Sequence, residues 1–324
     1  MDRNPPLLTA RELHGERGET PPSRSGLALG AAVALCRVQS IAHRTLECSH
    51  AFCARLLLSG QRFSGALFSD ALRGEEKSQL TVRIYDFYPG YKSVGDTLYR
   101  WEQVWFERRM PKPPARVLVG ASGTGREAIA LAVAGYRVVA FEPAPEFVEE
   151  SKRRLRGRAP VMRLSYEQLS ALVLDGVEIA GIGETGGELR DARFDAVILG
   201  CGSLTHVLDI HEQRRLLRAL HLLCPTGPIF ASFFCEDESS PRPASEGRAA
   251  RFGRSIGRAI ARRRGISLSS SDRLGYRAHS GFAYTFTKRE IEELARIVDR
   301  RVAWEDGEMR APNYATFLAA GAGT

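Results

Sequence analysis

At 324 residues, with 44% hydrophobic and 26% charged side chains, the chain is long enough to bury a large core, and fibrous or wholly disordered classes are excluded. Its most apolar run, Leu27 to Cys36, is about half of the roughly 18–20 residues a bilayer span needs, so no membrane span is expected. The net charge of +8 admits nucleic acid, acidic lipid or an anionic ligand as partners, and its placement matters more than its total.

Residues 1–26 mix both charges with prolines and read as a disordered tail without the pattern of a secretory signal. From residue 27 apolar side chains recur at helical spacing (Leu27, Ala31, Ala34, Val38, later Phe52, Leu56 and Leu57), which opens an N-terminal helical cap or lid region over 27–112. His43, Cys48, His50 and Cys53 fall within eleven residues, but without the paired spacing of a zinc knuckle. They read as helix residues, and no metal is expected. The six cysteines are scattered rather than spaced as a disulfide framework, which suits a cytoplasmic setting. Leu80-Thr-Val-Arg-Ile-Tyr85 reads as a short strand leading into the aromatic loop Tyr85-Asp-Phe-Tyr-Pro-Gly-Tyr91. Asp96 then reads as the N-cap of a helix that ends near Arg109, before Pro111 and the Pro113-Pro114 pair.

Beyond those prolines strands and helices alternate. Arg116-Val-Leu-Val119 is a buried strand, followed by a glycine-rich turn and a helix from Arg126 to Ala134 that Gly135 ends. Tyr136 to Phe141 is a second strand, Pro145 to Arg156 a helix, Pro160 to Leu164 a third strand and Phe194 to Leu199 a fourth. His211 to Leu223 is a helix closed by Pro225 and Gly227, and Ile229 to Phe234 a fifth strand. Residues 236–275 read as an insertion, acidic and then basic, lying over the substrate side. On its helix Arg251, Arg254, Arg258 and Arg262 share one face, while Phe252, Ile256 and Ile260 form an apolar stripe expected to dock on the domain. Thr287 to Asp299 is a helix, and Arg301 to Glu305 and Tyr314 to Leu318 form an antiparallel hairpin at the sheet edge. The alternation predicts an α/β domain over 113–324, with a mostly parallel seven-stranded sheet and helices on both faces.

The chemistry concentrates in Val117-Leu-Val-Gly-Ala-Ser-Gly-Thr-Gly125, a strand that enters a turn of small residues and then a helix. Small side chains let the backbone approach a ligand closely, and the helix start offers unpaired N–H groups. Seventeen residues past Gly125, at the end of the second strand, Glu142 is placed to accept hydrogen bonds from both hydroxyls of a ribose. Gly120, Gly123 and Gly125 do not supply the G-x-G-x-x-G spacing of dinucleotide-binding proteins. The segment resembles the first motif of the class I S-adenosylmethionine-dependent methyltransferases, a strand ending in GxGxG. Ala121, Gly123 and Gly125 stand at its glycine positions, and Val119 stands where the family often has an acid that helps orient the methionine amino group. Phe194-Asp-Ala-Val-Ile-Leu199 resembles the family's fourth strand and Leu222-Leu-Cys-Pro-Thr-Gly227 its L-x-P-G-G turn. Phe286-Thr-Lys-Arg-Glu-Ile-Glu-Glu-Leu294 resembles the start of its last helix, so the matches run in order from about residue 115 to 319.

This resemblance implies a Rossmann-like methyltransferase fold with S-adenosyl-L-methionine as cofactor. It places Glu142 on the ribose, the 120–125 turn beside the methionine half, Ser165, Tyr166 and Glu167 beside the adenine, and Gly200 and Cys201 near the sulfonium. Methyl transfer is an in-line displacement that needs alignment, exclusion of water and, for a hydroxyl or protonated amine, a base. His206, just beyond the fourth strand, is the candidate base. His279 and Tyr284 are second choices, and Tyr85, Tyr88 and Tyr91 are candidates to line an acceptor pocket under a lid. The expected acceptor is a small molecule methylated at oxygen or nitrogen. The alternatives are an RNA or protein methyltransferase, motivated by the charge, and a non-catalytic S-adenosylmethionine-binding protein, motivated by Ala121 and Val119. Against base methylation, Gly200-Cys-Gly-Ser-Leu204 lacks an Asn/Asp-Pro-Pro-aromatic motif, and Cys201 lacks the proline that precedes a cytosine-C5 nucleophile.

Overall fold

The buried run Val117-Leu-Val alternates between the two faces of a sheet, as a strand covered on both sides must. The computed structural model describes residues 24–46, 51–87, 95–182, 189–236, 247–267, 273–305 and 313–319; the side chains of 24, 25, 27 and 42–56 lie outside that description. Strand β1 (Arg116–Gly120) pairs in parallel with β2 (Arg137–Glu142) and, on its other edge, with β4 (Ala196–Leu199). β3 (Val161–Arg163) extends the sheet beyond β2, and β5 (Ile229–Cys235) extends it beyond β4. β9 (Asn313–Ala319) runs antiparallel to β5, and β8 (Arg300–Trp304) antiparallel to β9. This is the mostly parallel seven-stranded sheet expected from the sequence, with the final hairpin at its edge.

Helices α4 (Arg100–Arg109), α5 (Arg126–Val133) and α6 (Pro145–Leu155) cover the face that carries Val117 and Val119, through Trp105, Phe106, Ile129, Leu131 and Val148. Helices α7 (Tyr166–Asp175), α8 (Ile210–Leu223) and α10 (Lys288–Arg296) cover the face of Leu118, through Leu169, Leu172, Leu216, Leu220 and Ile291. A third cluster gathers α1 (Arg24–Leu46), α2 (Ala51–Ala71) and α3 (Gly74–Phe87) against a hairpin of β6 (Leu274–Arg277) and β7 (Gly281–Phe286), around Cys36, Phe68, Leu80, Ile84 and Phe282. β7 pairs in parallel with Phe234 and Cys235, the last two residues of β5, where β4 and β9 have stopped.

Three expectations are corrected. Residues 80–85 are not a strand but the middle of α3. Leu80 and Ile84 lie one helical turn apart and are fully buried in the third cluster, which outweighs the β-branched Thr81 and Val82. Asp96 does not cap α4; it pairs with Arg154, and the helix starts at Arg100 with the Tyr99 N–H donating to Glu102 Oε2 at 2.8 Å. The basic helix α9 (Arg248–Arg264) packs against α2 chiefly by the buried small residues Ala250, Gly253, Gly257 and Ala261, and the expected apolar stripe is only half-buried, with the Phe252 ring 5.9 Å from Phe63. A Cβ at Gly257 would stand 2.6 Å from the Leu67 carbonyl oxygen, so the two backbones touch, while Phe252 is left 64% exposed. α7 and the β6–β7 hairpin are elements that the sequence reading left out. The expected tail, 1–26, lies outside the described residues except for 24–26, which begin α1.

Candidate functional site

The carboxyl ends of β1, β2 and β4 open between the helices that follow them, which is where ligands sit in open parallel sheets. β1 ends on Gly120, where a Cβ would stand 2.7 Å from Phe141 Cζ. The chain then passes through left-handed conformations at Ala121 (φ 50), Gly123 (φ 56) and Gly125 (φ 87). Glycine takes these without strain, whereas Ala121 does so at a cost of about 1–2 kcal/mol. Gly125 is the tightest point, because a Cβ there would lie 2.5 Å from Ser151 Oγ on α6. Around Gly123 the corresponding space is open.

Glu142, the last residue of β2, is buried and reaches back to this turn. Its Oε2 accepts the Gly123 N–H at 2.8 Å and its Oε1 accepts the Ala144 N–H at 2.9 Å. Burial raises its pKa to about 7 against the pull of those two donors. Each carboxylate oxygen still has a lone pair to offer, so two hydroxyl donors fit. Ser122 Oγ, in the same turn, is buried without a protein hydrogen-bond partner. An open-sided turn, an acid with spare acceptor capacity and an unpaired hydroxyl suit the ribose and neighbouring polar groups of a nucleoside.

The β4 side carries the charge. Arg126, the first residue of α5, is buried and donates from both terminal nitrogens to Glu102, with Nη2 to Oε1 at 2.7 Å. Nη2 also donates to Glu127 Oε1 at 2.7 Å, and the Tyr99 ring lies 4.0 Å from the guanidinium carbon. Burial works against the Arg126 charge, but the Glu102 hydrogen bond and the Glu127 charge outweigh it and keep the group ionised. Burial and the second carboxylate, Glu102, raise Glu127, and Arg126 pulls it back. Gly200 sits against this cluster: a Cβ there would stand 2.8 Å from Glu127 Oε1. Desolvation, with the Glu127 charge adding, pushes the Cys201 thiol up to about 11, so it stays protonated at neutral pH.

His206 closes a 3₁₀ turn (Ser203–His206) that follows β4. Its Nδ1 lies 2.8 Å from the Phe282 carbonyl oxygen, which only accepts, so Nδ1 carries the proton and Nε2 is the acceptor. The Tyr85 hydroxyl donates to that Nε2 at 2.8 Å. Burial lowers the His206 pKa below its ordinary value, and the Phe282 carbonyl opposes this. Tyr85 also stands edge-on to His206 and 6.0 Å from the Phe147 ring on α6, so the end of α3 bridges the segments that follow β2 and β4. Asp86, the next residue, accepts the Glu146 N–H at 3.3 Å and holds α3 to the start of α6.

The structure thus joins Glu142 to the glycine turn, Gly200 to Glu127, and Tyr85 to His206. Other sequence candidates have partners of their own. Ser165 caps α7 by accepting the Gln168 N–H, and the buried Tyr166 donates to Ser203 Oγ at 2.8 Å. Tyr284 donates to Glu290 Oε1 at 2.9 Å, and His279 is half-buried in the β6–β7 turn. Tyr88 and Tyr91 lie outside the described residues, as do the side chains of His43, Cys48, His50 and Cys53. Sequence reasoning missed Glu102, Arg126 and Glu127. The available signal was a charged pair placed directly after Gly125, at the head of an otherwise apolar helix.

No protein-family model matches the chain, and no curated protein matches it. Among solved structures it is similar to an S-adenosylmethionine-dependent methyltransferase of Leishmania major, with 15% identity over 76% of this chain and 84% of that one and a TM-score of 0.48. It is also similar to an S-adenosylmethionine-bound amino pentose methyltransferase of calicheamicin biosynthesis from Micromonospora echinaspora, with 14% identity over 73% of this chain and 97% of that one and a TM-score of 0.47. A third is magnesium protoporphyrin IX methyltransferase from Synechocystis PCC 6803 with bound S-adenosylmethionine, with 12% identity over 75% of this chain and 97% of that one and a TM-score of 0.45.

Proposed function

We propose that this chain binds S-adenosylmethionine and transfers its methyl group to an oxygen or nitrogen of a small-molecule acceptor. The observation that carries the reading is the Glu142 carboxylate bonded to the Gly123 N–H, in an open-sided turn of small residues at the end of a parallel strand. In this reading Glu142 accepts the two ribose hydroxyls, and Gly123 leaves room for the adenosyl group to lie against the backbone. Gly200 and Cys201 bound the cleft on the β4 side, and Ser165 and Tyr166 at the head of α7 support its adenine end. When bound, S-adenosylmethionine supplies an electrophilic methyl carbon on a positively charged sulfur.

The acceptor's proton is handled by the pair at the far wall. His206, held by Phe282 with its unprotonated Nε2 on the Tyr85 hydroxyl, takes the proton of that hydroxyl as the Tyr85 oxygen takes that of the acceptor. Burial keeps His206 neutral at pH 7 and so available as a base. The basic helix gives a macromolecular acceptor less support than its sequence suggests. Arg254 and Arg258 both pair with Asp70 of α2, and Arg264 with Glu76 of α3. The described cysteines, Cys36, Cys201, Cys224 and Cys235, are free thiols, which suits the reducing cytoplasm read from the sequence. Among the described residues no helix is long and apolar enough to cross a membrane.

The test is transfer of a labelled methyl group from S-adenosylmethionine into a cell extract split into small-molecule, RNA and protein fractions. Label in the small-molecule fraction supports the proposal. Label confined to RNA or protein assigns the acceptor to that class, and binding without any transfer leaves a non-catalytic S-adenosylmethionine protein.

A further inference from the structure

The two arms of the cleft carry different acids. Glu142 stands on the β2 side of β1, and Glu127 stands on the β4 side against Gly200. Between Glu127 and Glu102 there is one guanidinium, that of Arg126, so the buried cluster holds two negative charges against one positive. Among the described residues Arg126 is the sole ion-pair partner of Glu127, whose carboxyl also accepts its own backbone N–H. β1 itself supplies no acid, since Val117, Leu118 and Val119 are apolar and buried. An unbalanced carboxylate in a desolvated wall is costly unless a cation meets it. Its Oε1 faces Gly200, where a Cβ would stand 2.8 Å away, so a cation lying at the end of β4 can meet it.

We infer that Glu127, positioned by Arg126, receives the α-ammonium group of the methionine half of the cofactor. This rests on the reading of the site as one for S-adenosylmethionine. With the ribose on Glu142, the ligand's other end falls on the β4 side. That end offers two cationic groups, and only the ammonium has N–H donors to match a carboxylate oxygen; a sulfonium has none. Arg126 holds Glu127 through Oε1, the oxygen beside Gly200, and leaves that oxygen's second lone pair for the ligand, which makes Arg126 a positioning residue.

Calorimetric titration of the full chain with three ligands tests this. S-adenosylhomocysteine keeps the ammonium and loses the sulfonium charge, and 5′-methylthioadenosine keeps the nucleoside and lacks the amino-acid end. Glu127→Gln is expected to weaken S-adenosylmethionine and S-adenosylhomocysteine alike, by about 10- to 150-fold, and to leave 5′-methylthioadenosine unchanged. Glu127→Asp keeps the charge and the pair with Arg126, and it is expected to fall between the two; it carries the test if Glu127→Gln does not fold. A loss for S-adenosylmethionine alone would place the sulfonium at Glu127 and overturn the inference. An equal loss for all three ligands would overturn it as well, by showing general damage to the cleft. If the unaltered protein binds none of the three, the reading of the site falls first and the inference with it.

Discussion

Replacing Arg126 by methionine exposes the electrostatics of the cleft most directly. The side chain is 5% exposed and lies between Glu102 at 1% and Glu127 at 7%, so its removal leaves two buried carboxylates without a counter-ion. Breaking a buried pair in this way costs about 3–5 kcal/mol, and loss of the Tyr99 contact adds about 0.5–2 kcal/mol. The sign of the pH dependence follows. Burial already raises Glu127 and only Arg126 pulls it back, so in the variant its folded-state pKa lies still further above the unfolded one and the folded state holds a proton that the unfolded chain releases. Stability therefore falls as pH rises from the ordinary carboxyl range toward neutrality, and the deficit is larger at about pH 8 than at about pH 5. Urea denaturation followed by the fluorescence of Trp101 and Trp105, in the adjoining helix α4, measures it. Adding Glu102→Gln to the same chain should recover part of the loss. An equal loss at both pH values, with no recovery in the double variant, would mean that Arg126 acts by packing and that the charge argument is wrong.

Further outcomes follow from the same contacts. Gly125→Ala combines left-handed strain with overlap on Ser151 and should cost about 2–4 kcal/mol, with Ser151→Gly recovering only the overlap; thermal melts of the three variants check this. Gly257→Val should force α9 off α2 at a cost of about 1–3 kcal/mol or more, seen as faster proteolysis of 247–267. Tyr85→Phe and His206→Gln should lower kcat by about 100- to 10,000-fold with little change in KM for the methyl donor. The base must be neutral to act and burial lowers its pKa, so kcat should rise with pH through a midpoint below 6.5 and level off by neutrality. A midpoint above 6.5 would contradict the assignment.

The parallel core was legible because each of its strands is a short apolar run bounded by Gly or Pro, and because Glu142 follows the glycine turn at the distance that one helix and one strand occupy. α7 was also announced, by the Ser165-x-x-Gln168 capping box, but the stretch was read only for its place beside an adenine. α3 was misread because Thr81 and Val82 favour a strand locally, whereas the burial of Leu80 and Ile84 belongs to a cluster built from residues far away in the chain. β7 alternates Phe282, Tyr284 and Phe286 in plain view, but the stretch 276–286 between the insertion and the last helix was given no element. The site divides in the same way. Glu142 and the small residues follow from local spacing, and so does the position of His206 just past a strand. The Tyr85 hydroxyl on His206 and the Arg126 cluster are tertiary facts, since Glu102 and Tyr85 come from helices whose docking no local pattern encodes. Gly253 and Gly257 show the same limit: a helix with an evident apolar stripe docked by its smallest residues, because backbone contact with α2 leaves no room for larger ones.

The most direct trial of the whole account is a calorimetric titration of S-adenosylhomocysteine into the unaltered protein and into Glu142→Ala, with melting curves to confirm that both are folded. The account predicts saturable binding to the first and an affinity about 10- to 150-fold lower for the second, the worth of two ordinary hydrogen bonds from ribose hydroxyls. Equal affinity in the two proteins, or no binding to the unaltered chain, would contradict it.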